Sequence, residues 1–380
     1  MATVQGAMTT TNVLSDQLAI DLGDRISELE PDVQVLAVFS RAADKRKTVA
    51  TKFSWLESQS KQRFDTTSST ATNSDTAIPV TTVAAYQQWD QVLNTRTGEQ
   101  FRVDSVGATT ITVTRGIGSS AAAMNSGDEL YIIGSAQPEN DTSKPARSDV
   151  PTKTTNNTQI FRTPFEASGS LMASGFQASP AEWPRQAHEK GKEHVKDIEL
   201  SLLFGRKSAT TPGSTEDRTT GGVLSFITSN QTDAGGDLSE AEFNAFMLQQ
   251  ARYSSVSKLA MASGVGVSAL NKFPASKQQT RNDETTYGMN VTHYTSPFGS
   301  LNLVWHRLLE GSKYSGYIIV VDMAEVAYRY LGNDQESRDT KVMPNRQAND
   351  QDGRKDEYLT ECGLEFGQQR KHAVLTGITS

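Results

Sequence analysis

Hydrophobic and polar positions follow different periods in different parts of this chain. Over residues 1–47 no period persists, although Leu18, Ile20, Leu22, Ile26 and Leu29 would line a short helix that packs on something else, so the stretch reads as an extended arm. From Val49 to Leu56 the pattern turns strand-like; the run "DTTSSTATNSDT" at 65–76 then offers nothing to bury, and an exposed or mobile loop is expected there. Residues 79–136 carry a period of two: Phe101, Val103 and Val106 alternate with Arg102 and Asp104, and Ile111 and Val113 with Thr110, Thr112 and Thr114. Gly107 and Ala108 predict a tight hairpin connection, and Gly127 with Asp128 a turn before a last strand, Leu130 to Ile133. Together these residues read as a compact antiparallel unit of four to six short strands. Strand character returns at 158–168 after a polar linker at 137–157, so 49–57 and 158–168 are expected to form a long hairpin with the small β-unit near its tip.

Beyond it the period changes to that of helices. Ser179 and Pro180 make a helix start, with the regular helix beginning near Trp183, and Ala187, Gly191, Val195, Ile198 and Leu202 form one apolar stripe that Gly205 can end. A second helix opens on the capping box Ser239 and Glu242, with Phe243, Phe246, Met247 and Ala251 on one face. Short strands and helices then alternate through "KLAMA", "VSALNKF", "MNVTHY", "LNLVWH", "YIIVVD" and "AEVAYRYL", and the tail returns to strand in "YLTECGLEFG" and "HAVLTGI". The fold class predicted is α+β with a small all-β module.

Composition narrows the class. At 380 residues and 36% hydrophobic content the chain can bury two or three packed units. No stretch approaches the roughly 18 consecutive apolar residues of a membrane span, and "MATVQGAMTTTN" resembles no secretory signal, so a reducing cytoplasm is the expected address. The lone Cys362 forms no internal disulfide, and the Asn290 triplet means little without a secretory route. A net charge of −7 argues against a protein that coats nucleic acid through a broad basic face. The distribution says more: residues 1–40 hold six acids (Asp16, Asp21, Asp24, Glu28, Glu30, Asp32) against Arg25, whereas 41–63 hold seven bases (Arg41, Lys45, Arg46, Lys47, Lys52, Lys61, Arg63) against Asp44 and Glu57. An acidic segment followed by a basic one describes either two solvated faces or complementary contacts between copies.

Candidate chemistry fails on spacing or context. Gly264, Gly266 and Ala269 match the start of a dinucleotide fingerprint, but Pro274 stops the helix early and "SKQQTRNDE" is too polar for the second buried strand. His188 and His194 lie six apart, about 240° around a helix, and cannot share a metal from one face. Gly205-Arg206-Lys207-Ser208 has Leu200 where a phosphate loop needs glycine, and Cys362 with His372 is a pair in sequence alone. No active site, cofactor or metal is expected.

Several stretches resemble a known family. "SLLFGRK" followed by "TGGVLSFI", then "YTSPFGSLNLVWHRLL", "YIIVVDMAEVAYRYL" and "ECGLEFGQQRKHAVLTGI" are similar to major capsid proteins of tailed bacteriophages with the HK97 fold, in the subfamily related to the phage SU10 capsid protein. "TRTGEQFRVDSV", "ITVTRGIG" and "SGDELYIIGSA" fit it too, so the resemblance covers nearly the whole chain through diffuse patterns. It implies an N-terminal arm at 1–47, an extended loop at 48–168 enlarged by the β-insert at 79–136, a peripheral domain at 169–238 with a spine helix at 183–204 completed by 356–380, and an axial domain at 239–355. It further implies a structural protein, not an enzyme, that self-assembles into hexamers and pentamers of an icosahedral head around double-stranded DNA without binding it tightly, built in the host cytoplasm and residing in the virion. Portal, scaffolding and decoration proteins are the implied partners, with no membrane. Neither an N-terminal scaffolding segment or protease site nor a cross-link motif is evident. Asp21, Asp24, Glu28, Lys45, Arg46, Lys47, Arg63, Arg96, Glu99, Arg102, Arg115, Glu189, Lys192 and Glu193 are the expected intersubunit contacts. The competing reading is another phage structural component, tail or adhesin-like, that binds through the β-insert.

Overall fold

The computed structural model describes residues 44–58, 62–139, 146, 148, 150–174, 182–210, 216–252, 257–273, 278–279, 291–296, 298–311 and 313–379. The helix-start residues Ser179 and Pro180 and the whole of the acidic segment therefore lie outside the described residues. Two compact units divide the chain: residues 1–55 with 153–380, and residues 56–152.

Strands β1 (Lys45–Thr48) and β2 (Lys52–Glu57) come first. The smaller unit holds β3 (Phe64–Thr66), β4 (Ala77–Pro79), β5 (Asp90–Asn94), β6 (Gln100–Val106), β7 (Thr110–Thr114) and β8 (Glu129–Ser135), in spatial order β3-β8-β5-β6-β7-β4. Its two outer strands then meet: Thr67 bridges Val80, with Ser68 N–H donating to Pro79 C=O at 3.1 Å and Thr81 N–H to Thr66 C=O at 3.0 Å. The sheet thus closes into a small antiparallel barrel, which removes its free edges. Alternation fills the interior with Ile78, Val92, Phe101, Val103, Ile111, Val113, Leu130 and Ile132.

Two expectations change here. The run at 65–76 is not a loose loop: Asp65 and Thr67 are buried, Ala71 bridges Met124, and Asp75 accepts from Thr72 N–H, so polar side chains supply the order that hydrophobic periodicity does not. The unit accordingly begins well before residue 79. Val106 is 40% exposed at the very end of β6, where the strand gives way to the hairpin turn at Gly107 and the alternation that buries Phe101 and Val103 no longer holds.

The expected hairpin also differs. β2 pairs with β9 (Thr152–Asn157), whereas β10 (Gln159–Ser168) runs antiparallel to β21 (Gly353–Phe366) over its whole length. Periodicity marks a strand but not its partner, and this partner lies about two hundred residues away.

In the larger unit, a five-stranded sheet has the order β1-β19-β21-β10, with β19 at Val326–Leu331 and β20 (Lys341–Met343) added against β21. A seven-stranded sheet has the order β13-β22-β18-β14-β17-β16-β15. Its strands are β13 (Gln231–Gly236), β14 (Ser257–Ala262), β15 (Gln278–Gln279), β16 (Val291–Ser296), β17 (Gly299–Trp305), β18 (Ile318–Val321) and β22 (Ala373–Ile378). A small hairpin, β11 (Ser208–Thr210) with β12 (Asp217–Thr219), follows the long helix. Helices are α1 (Gly169–Ala173), α2 (Glu182–Phe204), α3 (Val223–Phe226), α4 (Glu240–Ala251) and α5 (Gly264–Asn271).

Helix α2 buries Ile198, Leu202 and Leu203 against Phe161, Cys362, Leu364 and Phe366 of the five-stranded sheet and against Leu259, Met261, Ile319 and Val321 of the other. The opposite face of that second sheet, through Ala260, Ala262, Ile318 and Val320, packs on Phe243, Phe246 and Met247 of α4 and Leu270 of α5. Burial on both faces explains why "YIIVVD" is a continuous apolar run. At the end of α2, Gly205 is required: a Cβ there would stand 2.3 Å from Ser201 O and 2.6 Å from Thr220 O. Sheet membership does not follow the expected division at 239 and 355–356, since β19 and β20 join the five-stranded sheet and β22 the seven-stranded one.

Candidate assembly interface

The basic stretch after residue 44 becomes a parallel edge strand, β1, on β19. Lys45 pairs with Asp339, Lys47 with Asp334 at 2.6 Å, and Arg46 with Asp44 and, at 3.2 Å, with Glu365. Each of these expected contact residues therefore has an acid partner in its own chain. Beside them, β21 presents an acid ladder that hydrophobic periodicity did not reveal. Glu357, Glu361 and Glu365 recur every four residues on one strand face and are buried. Arg162 holds Glu357 in a two-pronged pair at 2.6 and 2.8 Å, Arg338 and Arg218 hold Glu361 at 2.6 and 3.2 Å, and Arg329 joins Arg46 on Glu365. The only sequence signal is the alternation of acids with other residues in "EYLTECGLE".

In the barrel the expected contact residues are turned to internal use. Glu99 and Arg115 are both buried and form a double hydrogen bond at 2.7 Å; Arg115 also donates to the carbonyls of Thr72, Asp75 and Ala122. Burial opposes ionisation of Glu99, but Arg115 and the Ala122 N–H outweigh it and hold its carboxyl below the usual range. Arg96 grips Asp128 at 2.6 and 2.7 Å and pushes that carboxyl far down, while Arg102 lies over the Trp89 ring at 4.9 Å beside Asp104. Arg63 is exposed just before β3. On α2, Arg185 bridges Glu182 and Glu189 and Lys190 bridges Glu193, with Lys192 half-buried among them. Arg185 draws Glu182 down to about 2. Asp21, Asp24 and Glu28 lie outside the described residues.

Where chemistry was considered on spacing, the structure supplies other roles. Gly264 N–H, which a pyrophosphate would need, donates to Glu310 at 2.6 Å. His188 is exposed, whereas His194 is buried with its ring nitrogens 2.9 Å from the Thr163 hydroxyl and 2.7 Å from that of Thr360. His372 accepts from Asp322 N–H, donates to Gly367 C=O and stacks on Phe366; burial pushes it down to about 4. Among the described residues no group of three His, Cys, Asp or Glu side chains is placed to hold a metal, and no helix is long and apolar enough to cross a membrane.

The family model described as SU10 major capsid protein matches residues 3–379. The chain belongs to that family. The major capsid protein of Pseudomonas phage PaMx41 is 26% identical over 265 residues, covering 66% of this chain and 62% of that protein's length. Among solved structures, the capsid of the native GTA particle aligns over 99% of this chain and 100% of its own with a TM-score of 0.54 at 8% identity. A chain of Mycobacterium phage Bobi aligns over 99% and 100% with a TM-score of 0.52 at 11% identity. At such identities the likeness carries the fold, which is the HK97-like capsid fold. Within this family's fold, the long helix α2 and β21 are the elements on which the larger unit's first core is built.

Proposed function

We propose that this chain is the shell-forming subunit of a phage head, assembling with copies of itself into hexamers and pentamers that close around double-stranded DNA. The observation that carries the reading is the family match over residues 3–379, which takes in the arm, the barrel unit and both sheets together. Residues 1–47 act as the arm and the unit entered after β2 and left at β9 as the enlarged extended loop. The region around α2, joined by the C-terminal strands, serves as the peripheral domain, and 239–355 as the axial domain. A subunit that makes several separate contacts in a shell explains long polar segments that a monomer would not order. The net charge of −7 suits a container whose wall must release packaged phosphates. Portal, scaffolding and decoration proteins are the further partners of this reading, and the virion its residence. Electron microscopy of the chain expressed alone and with its neighbouring head genes tests it. Closed icosahedral particles are expected; fibres, tubes or a persistent monomer under all conditions would overturn it.

A further inference from the structure

A cleft of about 680 Å³ opens between the end of α2 and β9, and its composition is one-sided. Among the described residues, Lys153, Arg206 and Lys207 line it and no acid does; Phe204, Phe226 and Tyr314 form its apolar wall. Lys207 is held by the carbonyl and hydroxyl of Thr155 instead of a carboxylate. Burial first, and then the charge of nearby Lys52, push its ammonium below the ordinary lysine range, as expected for bases gathered without a counter-charge. This contrasts with the five-stranded sheet, where the arginines named above each have an acid.

We infer that this cleft is the receptor for the acidic segment 16–32 of this chain. That segment, "DQLAIDLGDRISELEPD", carries six acids against Arg25 and intersperses them with Leu18, Ile20, Leu22, Ile26 and Leu29. Acids for the basic rim and aliphatic side chains for the aromatic wall occur in the same seventeen residues, a match that a phosphate backbone would satisfy only in part. Eleven residues lie between Asp32 and Asp44, enough extended chain for about 40 Å of reach, so the segment serves its own subunit or an adjacent one. The inference rests on the shell reading only for which copy supplies the segment.

The test is a charge swap in the full chain. R206E/K207E and D21K/D24K should each lower the yield of assembled particles by about tenfold, and their combination should restore it to within about threefold of the parent, the behaviour of directly coupled sites. Absence of loss, or no restoration, overturns the proposal; so does a variant that assembles normally but retains less DNA, which would assign the cleft to phosphates. An independent arm needs no assembly: in L22C/S225C, with Ser225 exposed on the cleft rim and Cys362 buried, a disulfide should form on mild oxidation and vanish when R206E/K207E is added. A disulfide within or between chains supports the docking, and its failure to form overturns it even if the chain makes no particles.

Discussion

The buried pair at the foot of the barrel sets a quantitative expectation. Glu99 and Arg115 have side chains 0% and 7% exposed, so Glu99→Gln leaves a guanidinium with its carbonyl partners but without its counter-charge, deep in a low-dielectric site. Breaking such a pair from one side costs about 3–5 kcal/mol. A domain the size of the barrel unit has about 5–15 kcal/mol in total and loses about 4–8 °C of Tm per kcal/mol. The transition of this unit should therefore fall by at least about 12 °C in calorimetry of the unassembled chain, with the larger unit's transition unmoved. Arg115→Met should be the more damaging change, because it also strips donors from Thr72, Asp75 and Ala122 and frees the loops they anchor. Glu99→Gln combined with Arg115→Met should be less destabilised than the two single changes added together, since no charge is then left buried alone. A shift below about 5 °C for Glu99→Gln would refute the reasoning and return both residues to the role of surface contacts.

Other expectations follow from the larger unit. His372, held at about 4 against an ordinary 6.5, is neutral in the fold; its contribution is complete above pH 6.5 and is lost as pH falls towards 4, by at most about 3 kcal/mol. Acid-induced unfolding followed by circular dichroism should thus shift to lower pH in His372→Gln once the two chains are matched in stability at pH 8. Lys258, buried against the carbonyls of Gln250 and Lys371 and pushed down to about 8, should add stability as pH rises from 8 towards 10.5, a gain absent in Lys258→Met. Gly205→Ala should cost the larger unit about 1–3 kcal/mol of stability through overpacking, read as a lower Tm, because both atoms that crowd the new Cβ are backbone. Replacing 58–151 with a short Gly-Ser linker should leave a soluble chain, whereas deleting 79–136 should not, since the shorter cut strands Ile78 and the first two barrel strands without partners; equal solubility of the two would overturn the barrel's boundaries.

What could be read in the sequence was whatever depends on neighbours along the chain. The Ser239–Glu242 capping box forms reciprocally, and the period-two runs at 101–106 and 110–114 become β6 and β7, because each is encoded within a few residues. The stripe on α2 was legible in Ile198 and Leu202, but His194 and Glu199 are buried beside them for reasons that no helical period contains. His194 finds Thr163 and Thr360 on distant strands, and Glu199 finds His306, just past the end of β17, at 2.8 Å. The same holds for the contact residues. A charge is legible in sequence while its partner is not, so arginines that looked like surface reach proved to be tied to acids of their own fold. The cleft at Arg206 and Lys207 is the reverse case: bases whose spacing only approximates a phosphate loop stand together without an acid among the described residues of the cleft's lining. In a chain that satisfies most of its buried charges internally, charges left unmatched are the ones with something to recruit, which is why the acidic segment 16–32 and this cleft are assigned to each other before the many residues that merely carry charge.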